Sequence, residues 1–454
     1  MINFHNSFSV NPSAGIRGVW IASAYNLDFP SKPDLSESEL AAEIDAIIET
    51  VALSNFNAIF FQVRPSADAL YLSDIFPTSK YLYTNRELGG FDPLEYFIDR
   101  AHLHGIALHA WVNPMRISTS GTRSDVPHTE YAVSASDGGL YYDIGIPAAR
   151  ELIADGVGEI VERYGVDGVV FDDYFYPYPD NNVAVNFDDS KSFALYGGSA
   201  SLADFRRSNV NSLVHLCYDR VKESDPDCLF GISPFGIWKN DDGSNGGSAT
   251  GGLEAYDAIY CDALAWVRGG YVDYIAPQLY WSNDTPAAPF DKLCEWWDRA
   301  LEGSGVDLLI GHSASKAADG SFRKGELCRQ IKHAKDMENY GGVVVYGYSA
   351  LAESDEIIRE TVDSLSNDLR YNSLSGLEGV RVNLASGVAA FSEEVYISGH
   401  VDEAGKFSIP TATRFYVTED GYFTATLPLG RLGKNVFEFK YGDKTQEYSI
   451  WRLE

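Results

Sequence analysis

The chain has 454 residues, of which 45% are hydrophobic and 13% aromatic, as expected of a globular protein large enough for a barrel domain and a smaller module. Its formal net charge of −30 argues against nucleic acid or an anionic membrane as a partner, because both attract basic surfaces. It contains no apolar run of about 18 residues, so no membrane-spanning segment is predicted.

Residues 1–14 are expected to form an N-terminal extension. They lack the basic start and apolar core of a signal peptide. The five cysteines include no C-x-x-C pair, which favours neither a disulfide framework nor a zinc site. His102, His104 and His109 are close in sequence but fall in different predicted elements. No metal site and no cofactor are therefore expected.

Short apolar segments alternate with amphipathic segments between Arg17 and about Leu365. The predicted strands are Gly18–Ala22, Ala58–Val63, Ala107–Val112, Gly168–Phe171, Leu229–Ser233, Tyr274–Pro277, Leu308–Gly311 and Val343–Tyr346. The predicted helices are Leu40–Ser54, Pro93–His104, Ala148–Tyr164, Leu202–Ser224, Phe290–Leu301, Gly325–Glu338 and Ser354–Leu365. Such alternation predicts a parallel sheet, and the number of strands predicts a closed TIM (β/α)8 barrel over residues 15–366.

Two long segments follow predicted strands, Asn113–Gly145 and Lys239–Tyr260. Because active sites of parallel barrels lie at the carboxyl ends of the strands, these segments are expected to form part of an active-site rim.

The pattern changes after Asn367, where the helical periodicity ends. Short alternating segments separated by turn signals predict a small all-β, Ig-like sandwich over residues 370–454. This region holds no evident catalytic constellation. A structural appendage is favoured over a carbohydrate-binding module.

The most informative stretch is VDGVVFDDYFYP, residues 166–177. A buried strand ends there in Asp172 and Asp173, which we predict to be the catalytic residues. Aromatic residues follow at once. Rings can stack on the CH faces of sugars while carboxyl groups act on the glycosidic oxygen. The alternative is that the two aspartates only cap the next turn.

Other predicted strand ends carry aromatic, amide and charged side chains, a mix suited to a polyhydroxylated ligand. The predicted substrate-binding residues are Trp20, Gln62, Arg64, Asp68, Trp111, Asn113, Asp143, Tyr174, Tyr176, Trp238, Gln278, Tyr280, Trp281, His312 and Tyr346. Each also has a structural explanation. The tryptophans are common core residues, and Arg64 could simply neutralise Asp172 or Asp68. Ser233 and His312 lack a nucleophile elbow, which argues against a catalytic triad.

Eight motifs in order carry a family resemblance: RGVWIAS, FFQVRPSADALYLS, HAWVNPMR, VDGVVFDDYFYP, DFRRSNVN, GISPFGIW, DYIAPQLYW and GGVVVYGYSAL. Over residues 14–365 the chain resembles the bacterial glycosyl-hydrolase-like family ten. The resemblance implies a TIM-barrel glycoside hydrolase acting on a cell-wall polysaccharide, with peptidoglycan strands stripped of peptides as the expected substrate. It also implies an extracytoplasmic location: secreted, periplasmic or lipid-anchored after signal removal. Asp172 and Asp173 occupy the family's acidic motif.

Several alternatives remain open at this point. A weaker likeness links the DG-x-x-x-D and Q-x-Y patterns to the family-eighteen chitinases, but Tyr174 stands where a glutamate would be expected. A non-catalytic carbohydrate-binding barrel would lack a second working carboxylate, and Asp68, Asp143 or neither could be an additional partner. Adjacent strand residues point to opposite faces, so both aspartates can reach the barrel axis only if the strand bends at its end. A metal-dependent deacetylase would need a histidine and aspartate cluster that the sequence does not show.

Overall fold

The computed structural model describes residues 15–84, 88–121, 123–179, 183–365, 372–383, 389–390 and 393–452. The predicted N-terminal extension, residues 1–14, lies outside the described residues. So does the predicted boundary between the two domains: the last barrel helix ends at Leu365, and the next strand begins at Asn372.

Eight parallel strands close into a barrel, which confirms the predicted fold class. Around the barrel their order is β1-β8-β7-β6-β5-β4-β3-β2. The strands are β1 Ile16–Ile21, β2 Ala58–Arg64, β3 Ala107–Val112, β4 Gly168–Phe171, β5 Leu229–Ile232, β6 Tyr274–Ile275, β7 Asp307–Ser313 and β8 Tyr340–Tyr346.

Alternate residues of each strand fill the inside of the barrel. Trp20, Phe60, Trp111 and Tyr274 belong to this inner cluster, while the intervening residues pack outward against the helices. Two glycines make room for the large inner rings. A Cβ on Gly168 would lie 2.4 Å from His109, and one on Gly231 would lie 2.1 Å from Tyr274. The barrel is therefore a packed core, and only its ends are open to a ligand.

The helices surround the barrel, and each predicted helix is present within a few residues of its expected bounds. They are α1 Glu37–Leu53, α2 Pro93–Leu103, α3 Pro147–Arg163, α4 Ser190–Tyr196, α5 Leu202–Ser224, α6 Ala255–Ala258, α7 Ala263–Gly269, α8 Phe290–Ala300, α9 Ala314–Ala318, α10 Glu326–Ala334, α11 Tyr348–Ala352 and α12 Asp355–Leu365. The sequence did not predict the short helices, since a helix of two turns or fewer shows little periodicity. None of the helices in the described ranges is long and apolar enough to span a bilayer.

The long segment after β3 contains structure that the sequence did not predict. Three short strands, Arg116–Ser118, Ala132–Ser134 and Leu140–Tyr142, form an antiparallel sheet, which we call the loop sheet. It follows the carboxyl end of β3 and therefore stands at the end of the barrel where Asp172 lies.

The C-terminal region forms two packed sheets. One has the order β9-β10-β12-β15-β14 and the other β11-β17-β16-β13, with an apolar core between them that includes Phe423, Phe439 and Tyr448. The strands are β9 Asn372–Ser373, β10 Val380–Val382, β11 Ala389–Ala390, β12 Glu394–Val401, β13 Phe407–Ser408, β14 Arg414–Val417, β15 Tyr422–Pro428, β16 Gly433–Tyr441 and β17 Lys444–Arg452.

The sandwich packs on the barrel. Tyr396, Tyr416 and Tyr422 join the barrel's outer core. The Thr424 hydroxyl donates a hydrogen bond to the Leu53 carbonyl at 2.8 Å, and the ring of Tyr396 lies 4.6 Å from that of His104. Leu53 is the last residue of α1 and His104 directly follows α2. These two helices lead into β2 and β3, so the contacts lie at the amino ends of the strands. They are thus at the opposite end of the barrel from Asp172.

The first prediction concerns this interface. Deleting residues 370–454 should leave a barrel that folds but melts at a lower temperature, because apolar surface on α1 and α12 loses its cover. Thermal unfolding followed by circular dichroism measures the change, and Tyr416→Ala in the full chain should give a smaller decrease in Tm. An unchanged Tm after the deletion would mean that the interface contributes no stability. A chain that cannot fold would make the sandwich part of the barrel's folding unit.

Candidate active site

Asp172 and Asp173 lie directly after β4, at the carboxyl end of the barrel. The strand ends at Phe171 and the chain bends at Asp173, which supplies the bend that two adjacent residues need to reach the same site. Both side chains are nearly inaccessible, with 3% of Asp172 and 5% of Asp173 exposed. The carboxyl groups therefore depend on protein donors rather than on water.

Asp172 accepts hydrogen bonds from β3, from the residue that directly follows β3, and from the turn that follows Asp172 itself. The Trp111 indole N–H donates to Oδ2 at 2.9 Å, and the Asn113 amide donates to the same oxygen at 3.4 Å. The backbone N–H of Tyr174 donates to Oδ1 at 3.1 Å. Three of the predicted substrate-binding residues are thus neighbours of this carboxyl group.

Asp173 faces a different set of donors. The Tyr178 hydroxyl donates to its Oδ2, and Gln278 also hydrogen-bonds to it. Gln278 follows β6 and is itself fixed, since its amide donates to the Ser233 carbonyl at 3.1 Å. The two neighbouring carboxyl groups are therefore held separately, one by β3 and the other by β6.

Burial is the main influence on the protonation of both groups. It raises the pKa of Asp172 to about 7, with a further increase from the nearby charge of Asp173 and an opposing effect of the Trp111 hydrogen bond. Burial also raises the pKa of Asp173, against the hydrogen bonds from Tyr178 and Gln278. Asp172 is therefore suited to hold a proton near neutral pH, as a general acid must.

Aromatic side chains surround the acid pair. Tyr280 and Tyr346 stack with ring centroids 5.8 Å apart. Tyr178 contacts Phe235 at 6.1 Å, and Phe235 contacts Trp281 at 5.4 Å. These rings lie at or just after the ends of β4, β5, β6 and β8 and surround one opening. The structure thus brings Tyr280, Trp281 and Tyr346 to the site that the sequence predicted.

Two polar atoms beside Asp172 have no hydrogen-bond partner within the described residues. They are the indole nitrogen of Trp20 and the side-chain oxygen of Asn113. Trp20 packs edge-on against Trp111 at 5.0 Å. Buried polar atoms normally have a partner, so one unused donor and one unused acceptor suit a polar ligand or bound water.

A pocket of about 130 Å³ opens next to the acid pair. Its wall comes from the loop sheet on one side and from residues 174–178 on the other: Arg116, Asp137, Tyr141, Tyr174, Phe175, Tyr176, Pro177 and Tyr178. Asp172 and Asp173 do not line it. They are connected to it through Tyr174 and Tyr178, which hydrogen-bond to them.

Some predicted substrate-binding residues lie away from this opening. Arg64 points outward, with its guanidinium 3.9 Å from the centre of the Phe76 ring and against Gly156 of α3. His312 lies on the outer side of β7, with its ring 5.4 Å from that of Phe290. The position of His312 follows from strand alternation, because Leu308 and Ile310 of the same strand also pack outward. Arg64 instead lies at a register shift between Gln62 and Arg64 of β2, where the regular alternation is interrupted.

Trp238 is also remote from the acid pair. Its indole N–H donates to Asp262 at 3.1 Å, and its ring stacks on Trp296 of α8 at 5.9 Å. Tyr176 contributes to the pocket wall, but its side chain is buried and its ring packs edge-on against that of Phe187 at 5.1 Å. The structure gives both rings packing contacts.

The other candidate carboxylates are already bound elsewhere. Asp68 forms a 2.7 Å ion pair with Arg123, and Asp143 accepts the backbone N–H of Gly145 at 2.9 Å. Neither contacts Asp172 or Asp173 in the described structure. Among these four carboxyl groups, only Asp172 and Asp173 lie together at this opening.

Gln62 holds the loop after β1. Its side-chain oxygen accepts the backbone N–H groups of Ser23 at 3.0 Å and Ala24 at 2.9 Å. The next residue, Tyr25, has a left-handed backbone with φ of 58° and is 64% exposed. Its ring lies 5.9 Å from that of Tyr81. A strained conformation that presents an exposed ring beside a site indicates a functional constraint.

Three residues of this site were absent from the predicted set: Arg116, Tyr178 and Tyr25. Arg116 and Tyr25 follow predicted strand ends closely, so their positions were available as a signal. Tyr178 follows the acid motif by only a few residues, but nothing in the sequence indicated that the chain turns back there. Among the described residues, no group of three or more potential ligands could hold a metal ion.

Comparisons with known proteins identify a family and a fold for this chain. A family model described as glycosyl hydrolase-like 10 matches residues 15–324. Glycosyl hydrolase YngK of Bacillus subtilis (strain 168) is 37% identical over 370 residues, which cover 78% of this chain and 71% of that protein. Glycosyl hydrolase DigH of Escherichia coli (strain K12) is 36% identical over 335 residues, covering 68% and 75% respectively.

A solved structure is similar in fold. The glycoside hydrolase domain of PgaB (BpsB) from Bordetella bronchiseptica superposes with a TM-score of 0.50 at 12% identity, covering 77% of this chain and 98% of that one. At this identity the likeness concerns the fold alone.

The barrel and its buried acid pair are those of a TIM-barrel glycoside hydrolase. More particularly, the chain belongs to the glycosyl hydrolase-like 10 family. The resemblance found in the sequence is confirmed, and the enzyme class is favoured over the non-catalytic barrel.

The second prediction concerns pH and stability. The unfolded chain ionises Asp172 near the ordinary value of 3.8, whereas the folded protein does so at about 7. Above about pH 7, the buried charge of Asp172 therefore lowers the free energy of unfolding by on the order of 4 kcal/mol. Below about pH 4 it has no effect, because Asp172 is protonated in both states. Asp172→Asn should raise Tm at about pH 8 and have little effect near pH 4. The control Asp227→Asn, at an exposed position, should change Tm by the same amount at both pH values. A pH-independent effect of Asp172→Asn would contradict the buried charge.

The third prediction concerns Tyr25. Tyr25→Ala should weaken glycan binding by about 1–3 kcal/mol without lowering Tm, because an exposed ring contributes to a sugar contact and not to the core. Calorimetric titration and thermal unfolding measure the two effects. Tyr196→Ala on α4, where the ring is 53% exposed, is the matched control and should leave affinity unchanged. Equal affinity of the Tyr25 and Tyr196 variants would remove Tyr25 from the binding surface.

Proposed function

We propose that this enzyme hydrolyses glycosidic bonds of a bacterial cell-wall polysaccharide by carboxylate acid/base catalysis. Asp172 is the general acid and Asp173 the second carboxylate. The observation that carries the proposal is the buried pair itself: two carboxyl groups on adjacent residues, held by separate donors, with the pKa of Asp172 raised to about 7.

The roles follow from the hydrogen bonds. Asp172, protonated near neutral pH, can donate its proton to the oxygen of the leaving sugar. Asp173 accepts hydrogen bonds from Tyr178 and Gln278, which favour its ionised form. A carboxylate in that state can stabilise positive charge that develops at the sugar carbon, or it can activate the group that attacks this carbon.

The aromatic opening supports a carbohydrate substrate. Tyr174 is 43% exposed, and Tyr280 with Tyr346 forms a stacked pair beside the acids. Such rings suit the CH faces of pyranose sugars. The free donor of Trp20 and the free acceptor of Asn113 suit hydroxyl or acetamido groups. The proposed substrate within this class is peptidoglycan glycan strands without peptides, as the family resemblance implies.

The proposed location is extracytoplasmic, because the substrate lies outside the cytoplasm. Loops between the barrel strands surround the acid pair, whereas the sandwich contacts the amino ends of β2 and β3. A long glycan strand could therefore cross the active-site end without meeting the sandwich.

The fourth prediction tests the reaction. Wild-type enzyme should release shorter oligosaccharides from peptide-free glycan strands, detected by mass spectrometry. Asp172→Asn and Asp173→Asn should each reduce turnover by about 10²-fold or more, because each removes a group that acts in the transition state. Asp143→Asn, at a buried carboxylate with other partners, is the control for a general effect of losing a buried acid. Near wild-type rates for both site variants would exclude the acid pair from the mechanism.

A further inference from the structure

Arg116 is a half-buried arginine at the start of the loop sheet, beside the acid pair. Its guanidinium carbon lies 4.5 Å from the centre of the Tyr174 ring, and it hydrogen-bonds to the Tyr141 side chain. Tyr174 in turn donates its backbone N–H to Asp172. The arginine is thus held by two rings, and one of them belongs to a residue that hydrogen-bonds to the predicted general acid.

The charges around Arg116 differ from those around two other arginines of this protein. The chain has 65 acidic and 35 basic residues, and two of its other buried or partly buried arginines bind carboxylates directly. Arg123 pairs with Asp68 at 2.7 Å and Arg206 with Asp189 at 2.7 Å. Within the described residues, Arg116 forms no ion pair. Its charge opposes the rise in the pKa of Asp172 and of Asp173, but neither carboxylate lies at ion-pair distance from it. A guanidinium held in place in this way next to an active site is suited to bind an anion from the ligand.

We propose that Arg116 and the pocket beside it bind a carboxylate carried by a sugar adjacent to the bond that is cleaved. The enzyme would then prefer glycans with acidic rings over neutral glycans of the same backbone. This inference rests on the proposed function and adds the class of substrate, namely glycans with acidic sugar rings. Two kinds of pyranose sugar commonly carry a carboxylate: those with a lactyl ether on the ring, and uronic acids. Arg116 would bind the carboxylate of either kind in the same way.

The pocket has the size and lining for such a group. Its volume is about 130 Å³, whereas one molecule in liquid water occupies about 30 Å³. The pocket therefore has room for a carboxylate on a short carbon chain. The hydroxyl-bearing residues Tyr141, Tyr174 and Tyr178 also line it. The planar guanidinium can give two parallel N–H bonds to a carboxylate, which a sugar hydroxyl cannot accept.

Asp137 lines the same pocket and carries the opposite charge. Its carboxylate accepts the Tyr141 hydroxyl at 2.7 Å and the Gly139 N–H at 2.8 Å. It therefore holds Tyr141 and repels a bound anion at the same time. Removing its charge should improve the binding of an acidic sugar, which gives a second variant with the opposite expected sign.

The fifth prediction tests this pocket by binding and by kinetics. Three tetrasaccharides serve as probes: one with alternating N-acetylglucosamine and N-acetylmuramic acid, one of N-acetylglucosamine alone, and one with alternating N-acetylglucosamine and glucuronic acid. Affinities are measured by calorimetry in an Asp173→Asn background, so that no probe is consumed. Arg116→Gln should weaken binding of the muramic probe roughly tenfold or more, the usual effect of losing a charge-assisted pair, and leave the neutral probe within about twofold. Asp137→Asn should strengthen binding of the muramic probe only.

The outcomes separate the possible roles of Arg116. Loss confined to the muramic probe supports a lactyl carboxylate, and loss on both acidic probes supports recognition of any ring carboxylate. Equal loss on the neutral and acidic probes would overturn the proposal. So would unchanged binding together with an altered pH profile of kcat in the otherwise wild-type enzyme, because Arg116 would then act only on the acid pair. Failure of the proposed hydrolysis would appear instead as no cleavage by wild type, which leaves the binding comparison intact.

Discussion

Burying Asp172 and Asp173 side by side opposes folding, because each carboxyl group loses water and repels the other. The hydrogen-bond donors around the pair offset part of this cost. Trp111 and Asn113 bring donors from β3 to Asp172, while Tyr178 and Gln278 serve Asp173. The barrel can supply donors from two directions because it closes, which brings the ends of distant strands around one opening.

The same requirement explains why the loops at this end are fastened. Gln62 accepts two backbone N–H groups of the loop after β1. Asp28, from that loop, accepts the backbone N–H groups of Ala22 at 2.8 Å and Ser349 at 2.9 Å. A catalytic group must keep its geometry to be effective, and buried hydrogen bonds between loops preserve it. Gln62 therefore matters to the site although it does not contact the acid pair.

The two ends of the barrel have different tasks. The carboxyl ends of the strands hold the acids, the aromatic rings and the pocket at Arg116. The amino ends of β2 and β3 lie where the sandwich packs, through contacts such as Thr424 with Leu53. This division is general for TIM barrels, in which function lies at one face and stability at the other. It allows a second domain to be attached without obstructing a polymeric substrate.

The sequence alone determined the parts that depend on local pattern. Apolar segments of strand length, helical periodicity between them and the change after Asn367 predicted the barrel and the sandwich. The two acids at the end of β4 predicted where the candidate site lies. The tertiary structure decided which neighbours of the strand ends face the opening. His312 faces the helices because of strand alternation, and Arg64 does so because β2 shifts its register there. Arg116 and Tyr178 reach the surroundings of the acids through a short sheet and a turn that have no periodic signal. Contacts of that kind join residues far apart in the chain, so they exist only once the barrel has closed.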